Sequence, residues 1–298
     1  STLGAEVAGQ FSVAVGNNAL MTQSNGSSRD VYNTAVGLNA GKLITTGSLN
    51  TLIGGVSGDA LTTGGQNVAV GQNSLTSATT SGNNTAIGYA SMLATTTGGQ
   101  NTAVGAQSLD ANTTGVSNVA LGYNSMTANT QGYENTAVGK DSLASCTEGF
   151  ENTTVGHNCG AGITTGDGNT FLGNAAGQAT TTADFNTALG QAALASNTTG
   201  FHNVAVGKDA LDANTTGTHN VAVGLDSLQA NTTASDNTGI GHSALESNTT
   251  GTNNVALGKN SGNAITTGEK NVLLGNSAGL QGTNLTTGTQ NICIGHDT

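Results

Sequence analysis

His202 and His219 stand 17 residues apart, a spacing at which two imidazoles could share a metal ion if the fold stacks successive segments. Asp141, Asp209 and Asp226 each stand two residues after a glycine and could offer carboxylates to calcium, but no oxygen-rich calcium loop surrounds them. Tyr133, Phe150 and Phe201, with Tyr89 and Tyr123, are candidate platforms for carbohydrate. Asn112, Asn197, Asn214, Asn231 and Asn248 each open an Asn-Thr-Thr sequon, which accepts glycans in a secreted eukaryotic protein. The three cysteines, Cys146, Cys159 and Cys293, have neither zinc spacing nor a disulfide framework. No nucleophile–base pair, paired carboxylates or phosphate loop is present. With 46 glycines in 298 residues, Gly-x-Gly fragments carry no signal. The expectation is therefore a non-enzyme with no cofactor and no metal site. In this reading the histidines, with His157, His242 and His296, are exposed turn residues, and the aspartates are solvated. The aromatics pack loops, and the sequon asparagines cap turns.

The elements that must position these residues come from a repeat. Asn101-Thr-Ala-Val-Gly105 returns as Asn118-Val-Ala-Leu-Gly122 and again as Asn135-Thr-Ala-Val-Gly139. From Gly37 to Gly275 an anchor glycine recurs every 17 residues; only the first gap, 21 from Gly16, and the last, 20 to Gly295, differ. Such regularity marks a quasi-one-dimensional array. Positions are counted below from the anchor glycine.

Alternation over positions −4 to −1 is the signature of a strand, and the Gly and Thr density excludes helix. After the glycine, position +4 is Leu or Met in one kind of repeat, as in Leu109, and Gly in the other, as in Gly160; in four of the six Gly repeats +7 then turns aliphatic, as in Ile163, and the repeat of Gly177 lacks such a residue. Each repeat thus supplies about one large apolar group beyond the strand, as a narrow core of fixed volume per layer requires. Thr occupies +8 in every repeat from Thr45 to Thr266, and Gly usually follows at +10, where a turn of positive φ is expected. The fold class that results is all-β: a parallel β-solenoid or β-roll of 17-residue coils, each with two short extended segments, about 17 rungs at ~4.8 Å. It forms one array over 1–298, with a lead-in at 1–10 and loop insertions near 21–31 and 280–285.

Apolar alternation assigns the −1 ladder to the core: Val36, Ile53, Val70, Ile87, Val104, Leu121, Val138, Val155, Leu172, Leu189, Val206, Val223, Ile240, Leu257 and Leu274. Asn101, Asn118, Asn135, Asn152, Asn169, Asn186 and Asn203 are expected to stack as an amide ladder. The opposite face, with Ala103, Ala137 and Ala205 beside those asparagines, is small enough for close backbone approach and is expected to line a contact between chains. Three chains around an axis is the number inferred.

Composition narrows the function classes. Charged residues are 8%, the formal charge is −11, and no basic block tracks phosphates, so nucleic acid is not an expected partner. No apolar run reaches 18 residues, so membrane insertion is not expected.

The Asn-Thr-Ala-Val-Gly, Ser-Leu and Asn-Thr-Thr-Gly units, with variants such as Asn169-Thr-Phe-Leu-Gly173, resemble the repetitive shafts of phage tail fibres and bacterial tail-fibre-domain proteins. More distantly, Asn203-Val-Ala-Val-Gly207 is similar to the head repeat of trimeric autotransporter adhesins, whose repeat is shorter. The resemblance implies a homotrimer of left-handed β-rolls located outside the cell, on its surface or on a virion. The expected function is a rigid fibre, filament or adhesin shaft for attachment or spacing. Its partners would be copies of itself, including a head-to-tail polymer, and a cell-surface glycan or receptor. The alternative is a ligand-binding solenoid surface, for ice or glycan, built on the Thr ladder.

Overall fold

The computed structural model describes residues 11–24, 31–280 and 285–298; the lead-in at 1–10 and the middles of the two insertions, 25–30 and 281–284, lie outside the described residues. The chain falls into two compact units, Ser1–Phe150 and Glu151–Thr298. In the first unit, strands β1 to β8 are Val13–Val15, Thr34–Val36, Thr51–Ile53, Val68–Val70, Thr85–Ile87, Thr102–Val104, Val119–Leu121 and Thr136–Val138. In the second, β9 to β17 are Thr153–Val155, Thr170–Leu172, Thr187–Leu189, Val204–Val206, Val221–Val223, Thr238–Ile240, Val255–Leu257, Val272–Leu274 and Ile292–Ile294.

Within each unit successive strands pair in parallel and in position-for-position register, Thr102 with Val119 and Val104 with Leu121 for example. Each unit is therefore a parallel β-solenoid, and every regular element among the described residues is a strand. Only one strand forms per coil, against the two extended segments expected. The rest of the coil is a series of turns. Left-handed residues recur at +2, +4 and +12, such as Gln107 (φ 56), Leu109 (φ 52) and Ser117 (φ 58). Non-glycine residues tolerate this region at a local cost. Here it aims their N–H groups along the stack: Gln107 donates to Tyr89 O, Leu109 to Ser125 O and Ser117 to Gly99 O. The anchor glycine is obligatory for a different reason. Gly105 has φ 137, and a Cβ on it would overlap the carbonyl of Gly122 in the next coil. The glycine at +10 does not need positive φ, contrary to expectation; a Cβ on Gly132 would instead overlap Asn129 Oδ1.

The strand faces are inverted relative to the apolar-inside assignment. Position −2 points inward: Ala35, Ala69, Ala103, Ala137 and Ala205 are fully buried. Position −4 is inward as well, with Asn101, Asn118, Asn135, Asn152, Asn169 and Asn203 at zero exposure and Asn186 at 1%. The −1 residues point out. Ile53, Ile87, Val104, Leu172, Leu189, Ile240 and Leu257 are exposed, between 37% and 50%. Val36, Val70, Leu121, Val138, Val155, Val206, Val223 and Leu274 are half-buried. The Ala/Asn face consequently lines the inside of the coil and not a contact between chains.

The physical reason is width. The interior has room for one large side chain per layer, which +4 supplies: Leu75, Met92, Leu109, Met126, Leu143, Leu194, Leu211, Leu228 and Leu245 have zero exposure. A second aliphatic at every strand would overfill it. What the interior still needs is a polar strut for the coil's own carbonyls. Asn203 supplies one: its Nδ2 donates across the coil to Gly217 O at 2.9 Å and to Asn186 Oδ1 at 3.2 Å. Its Oδ1 accepts the backbone N–H of Asn220 at 3.0 Å and the Asn220 amide at 3.2 Å. The same pattern runs from Asn33 to Asn135 in the first unit, and from Asn152 to Asn291 in the second.

Where +4 is Gly, the volume comes from elsewhere. Leu52, Phe171 and Leu273 replace the usual Ala at −2 and are fully buried. A Cβ on Gly41 or Gly58 would meet Leu52, one on Gly160 or Gly177 would meet Phe171, and one on Gly262 or Gly279 would meet Leu273. Each large −2 side chain thus occupies space that two successive +4 glycines leave open.

Candidate functional site

The inversion creates the most conspicuous surface of the molecule. Each strand presents two outward side chains, at −3 and −1, and successive strands repeat them at ~4.8 Å. Position −3 carries Thr, Val or Ile, as in Thr170, Thr187, Val204, Val221, Thr238 and Val255; position −1 carries Val, Ile or Leu. No charged residue occupies either position on any of the 17 strands. Charges lie on other sides of the coil instead: Lys140, Asp141, Lys208 and Asp209 just after the anchor glycine, Asp110 and Glu246 at +5, Asp184 and Glu269 at +11. Eight consecutive coils of a strip ~10 Å wide amount to roughly 400 Å² of uncharged surface, threonine and aliphatic side chains together, on the scale of the patches that serve as interaction sites. The −3 residues share the face of the −1 ladder, which alternation assigns to the core, and turn outward with it. The absence of charge from both odd strand positions was the signal that could have found them.

The Thr ladder at +8 is already engaged. Within each unit the hydroxyls donate to the +8 carbonyl of the next coil, Thr113 to Thr130 O at 2.9 Å and Thr215 to Thr232 O at 3.0 Å for example. The neighbouring +9 threonines, such as Thr114, Thr199 and Thr216, are exposed.

The sequon asparagines at +7 are interior. Asn112, Asn197, Asn214, Asn231 and Asn248 have zero exposure. Their Nδ2 atoms donate to the +10 carbonyl three residues on, as Asn197 does to Gly200 O at 2.9 Å, and to one another along the stack, as Asn214 does to Asn197 Oδ1 at 2.9 Å. They cap the turn and form a second amide ladder. It stops where the next coil lacks Asn: Asn129 Oδ1 and Asn248 Oδ1 are buried without a partner, ahead of Cys146 and Ile265. A glycan on Nδ2 would remove the donor and cannot fit inside the coil. Folded protein produced through a eukaryotic secretory route should accordingly carry no glycan at these five positions, and peptide mapping after glycosidase treatment checks it.

Asp209 and Asp226 occupy the same position on adjacent coils of the second unit, with Lys208 near both. Asp141 pairs with Lys140 at 2.7 Å, which raises the Lys140 ammonium above its ordinary value, and Asp209 pairs with Lys208. Burial, helped by the nearby Asp209, holds the Asp212 carboxyl above the usual carboxylate range. Cys146, Cys159 and Cys293 form no disulfide; burial pushes the Cys159 thiol up to about 12, which keeps it protonated and unreactive. Among the described residues no three His, Cys, Asp or Glu side chains are grouped to hold a metal.

The aromatics form short stacks along the coils. Tyr133 and Phe150 lie parallel at 4.9 Å, and Phe11 stacks on Tyr32 at 5.3 Å. His202 and His219 do meet on adjacent coils, with ring centroids 5.1 Å apart and Phe201 edge-on to both. No helix among the described residues is long and apolar enough to cross a membrane. No family model matches the chain, and no curated protein or solved structure matches it.

Proposed function

We propose that the chain is a structural, non-catalytic protein, a solenoid shaft that self-associates, three chains around an axis, through its outward strand face. It would serve as a fibre or adhesin shaft outside the cell, on its surface or on a virion. The observation that carries this reading is the charge-free strip of aliphatic and threonine side chains at −3 and −1 in each unit. A contiguous exposed strip of aliphatic and threonine side chains is a surface suited to being covered by a partner. A second copy is the natural cover, because its strip has the same ~4.8 Å pitch and can interdigitate rung by rung. The resemblance of the repeat to tail-fibre shafts points the same way.

Native mass spectrometry and light scattering test it. The wild-type chain should give a multiple of its 29.1 kDa mass, three being the expected number. Val206→Asp combined with Val223→Asp should give a monomer. Both side chains point outward, so the cost to the coil comes from the low strand propensity of Asp and the repulsion of two carboxylates on paired strands, about 1–3 kcal/mol, and the variant should stay folded. A wild-type monomer at tens of micromolar overturns the proposal. Thermal hysteresis of that monomer would then favour the alternative of an ice-binding surface.

A further inference from the structure

We propose that His202 and His219 form a bis-imidazole site for a divalent transition metal, Cu²⁺ above all, with Ni²⁺ and Zn²⁺ weaker. His202 Nδ1 and His219 Nε2 are 3.2 Å apart. Two nitrogens at that separation, each ~2.1 Å from one ion, subtend an angle of about 100° at it, between the square-planar and tetrahedral values. Both lone pairs converge on one ion only when both rings turn away from the direct nitrogen–nitrogen contact.

The surroundings already set one ring. Thr218 Oγ1 donates to Ser235 Oγ at 3.3 Å, so the lone pairs of Thr218 are left to face His219 Nδ1 at 3.1 Å. With the proton of His219 on Nδ1, donated to Thr218 Oγ1, its Nε2 keeps a lone pair 3.2 Å from His202 Nδ1. This is the orienting contact that ligating histidines ordinarily make through their second nitrogen. For His202 to ligate through Nδ1, its proton moves to Nε2, on an exposed side chain where water can receive it.

Packing limits how far the rings can turn. Phe201 sits edge-on to both, at 5.2 Å from His202 and 5.4 Å from His219, and Phe185 lies 5.6 Å from His202 on its other side. Both histidines emerge from left-handed backbone, φ 57 and φ 58, at the same coil position. Their separation is therefore fixed by the stack and not by a loop. With two neutral nitrogen ligands and water for the rest, the site selects by the order of divalent affinities and has nothing to offer Ca²⁺ or Mg²⁺. The site lies within the second unit and does not depend on self-association.

Isothermal titration of the full chain with CuCl₂ in a weakly coordinating, chelator-free buffer tests it. One Cu²⁺ per chain is expected at this site, with His202→Gln and His219→Gln each weakening binding at least tenfold. Gln is a fair replacement, because Gln66 and Gln100 occupy the same coil position with φ 61 and φ 62. Thr218→Val should weaken binding by roughly tenfold without touching the metal, the loss expected of an orienting partner. Replacing His157, His242 and His296 together should leave the site intact. Electron paramagnetic resonance of the copper form should show two coordinating nitrogens, falling to one in either single variant. No binding by the wild type overturns the proposal, as does equal binding by the wild type and the His202 and His219 variants.

Discussion

Replacing Asn203 by Leu is expected to destabilise the second unit by about 4 kcal/mol. The side chain is fully buried and makes four hydrogen bonds. Not all of them leave an orphan. Gly217 O keeps a donor in Asn214 Nδ2, and Asn186 Oδ1 keeps the backbone N–H of Asn203. The loss falls on Asn220, whose backbone N–H and one amide hydrogen face Asn203 Oδ1 inside the coil. Two buried donors left unmade cost roughly 1–3 kcal/mol each, and a branched side chain in an already full layer adds more. Asn203→Asp separates the two causes. It keeps both acceptors for Asn220 but turns a carboxylate oxygen toward Gly217 O, so it should destabilise through repulsion while protecting the Asn220 N–H. Urea unfolding gives the total, and amide exchange at Asn220 reads the orphan directly. Because coils contact only their neighbours, the exchange increase should be confined to a few coils around Asn203. A loss below about 1 kcal/mol in Asn203→Leu would mean that the amide ladder is not what holds the coils in register.

The period, the strand position and the parallel register of the stack were legible in the sequence, because a 17-residue spacing admits little else. The direction of the strand was not. Alternation fixes which residues share a face, and hydrophobicity normally decides which face is inside. In this coil that second step fails, since Ala137 and Asn135 are the buried pair and Val138 is half-exposed. A rule based on apolar transfer does not see that a narrow coil needs an internal hydrogen-bonding strut more than a second aliphatic. The volume exchange between +4 and +7 was visible as Leu against Gly with Ile. The third partner, −2, became visible only once Leu52, Phe171 and Leu273 were seen to point inward. The meeting of His202 and His219 followed from their spacing, whereas the Thr218 contact with His219 Nδ1 depends on side-chain geometry the period does not specify.

The volume exchange predicts a compensating pair. Gly177→Leu alone should be strongly destabilising, and not for backbone reasons: Gly177 has φ 57, while Leu109, Leu194 and Leu211 adopt φ 52 to φ 58 at the same coil position. The obstacle is Phe171, whose ring occupies the space into which a side chain at 177 would grow; even a Cβ would come within 2.7 Å of its Cζ. Overpacking of this kind costs about 1–3 kcal/mol, and more where the obstructing group is a fully buried ring. Phe171→Ala alone empties the layer and should cost about 3–5 kcal/mol. Together the two changes rebuild the commoner coil, Ala at −2 with Leu at +4, which the chain already uses at Ala188 and Leu194 one coil further on. The new leucine fills most of the cavity left by the ring, and the ring no longer opposes the leucine. If the two losses were independent, the double variant would fall by their sum. The exchange requires instead that it lose less than either single change, with a coupling of at least about 2 kcal/mol in its favour. Urea midpoints of the four proteins close this cycle. An additive result would show that Phe171 and Gly177 meet by accident of sequence and that the core does not hold a fixed volume per layer.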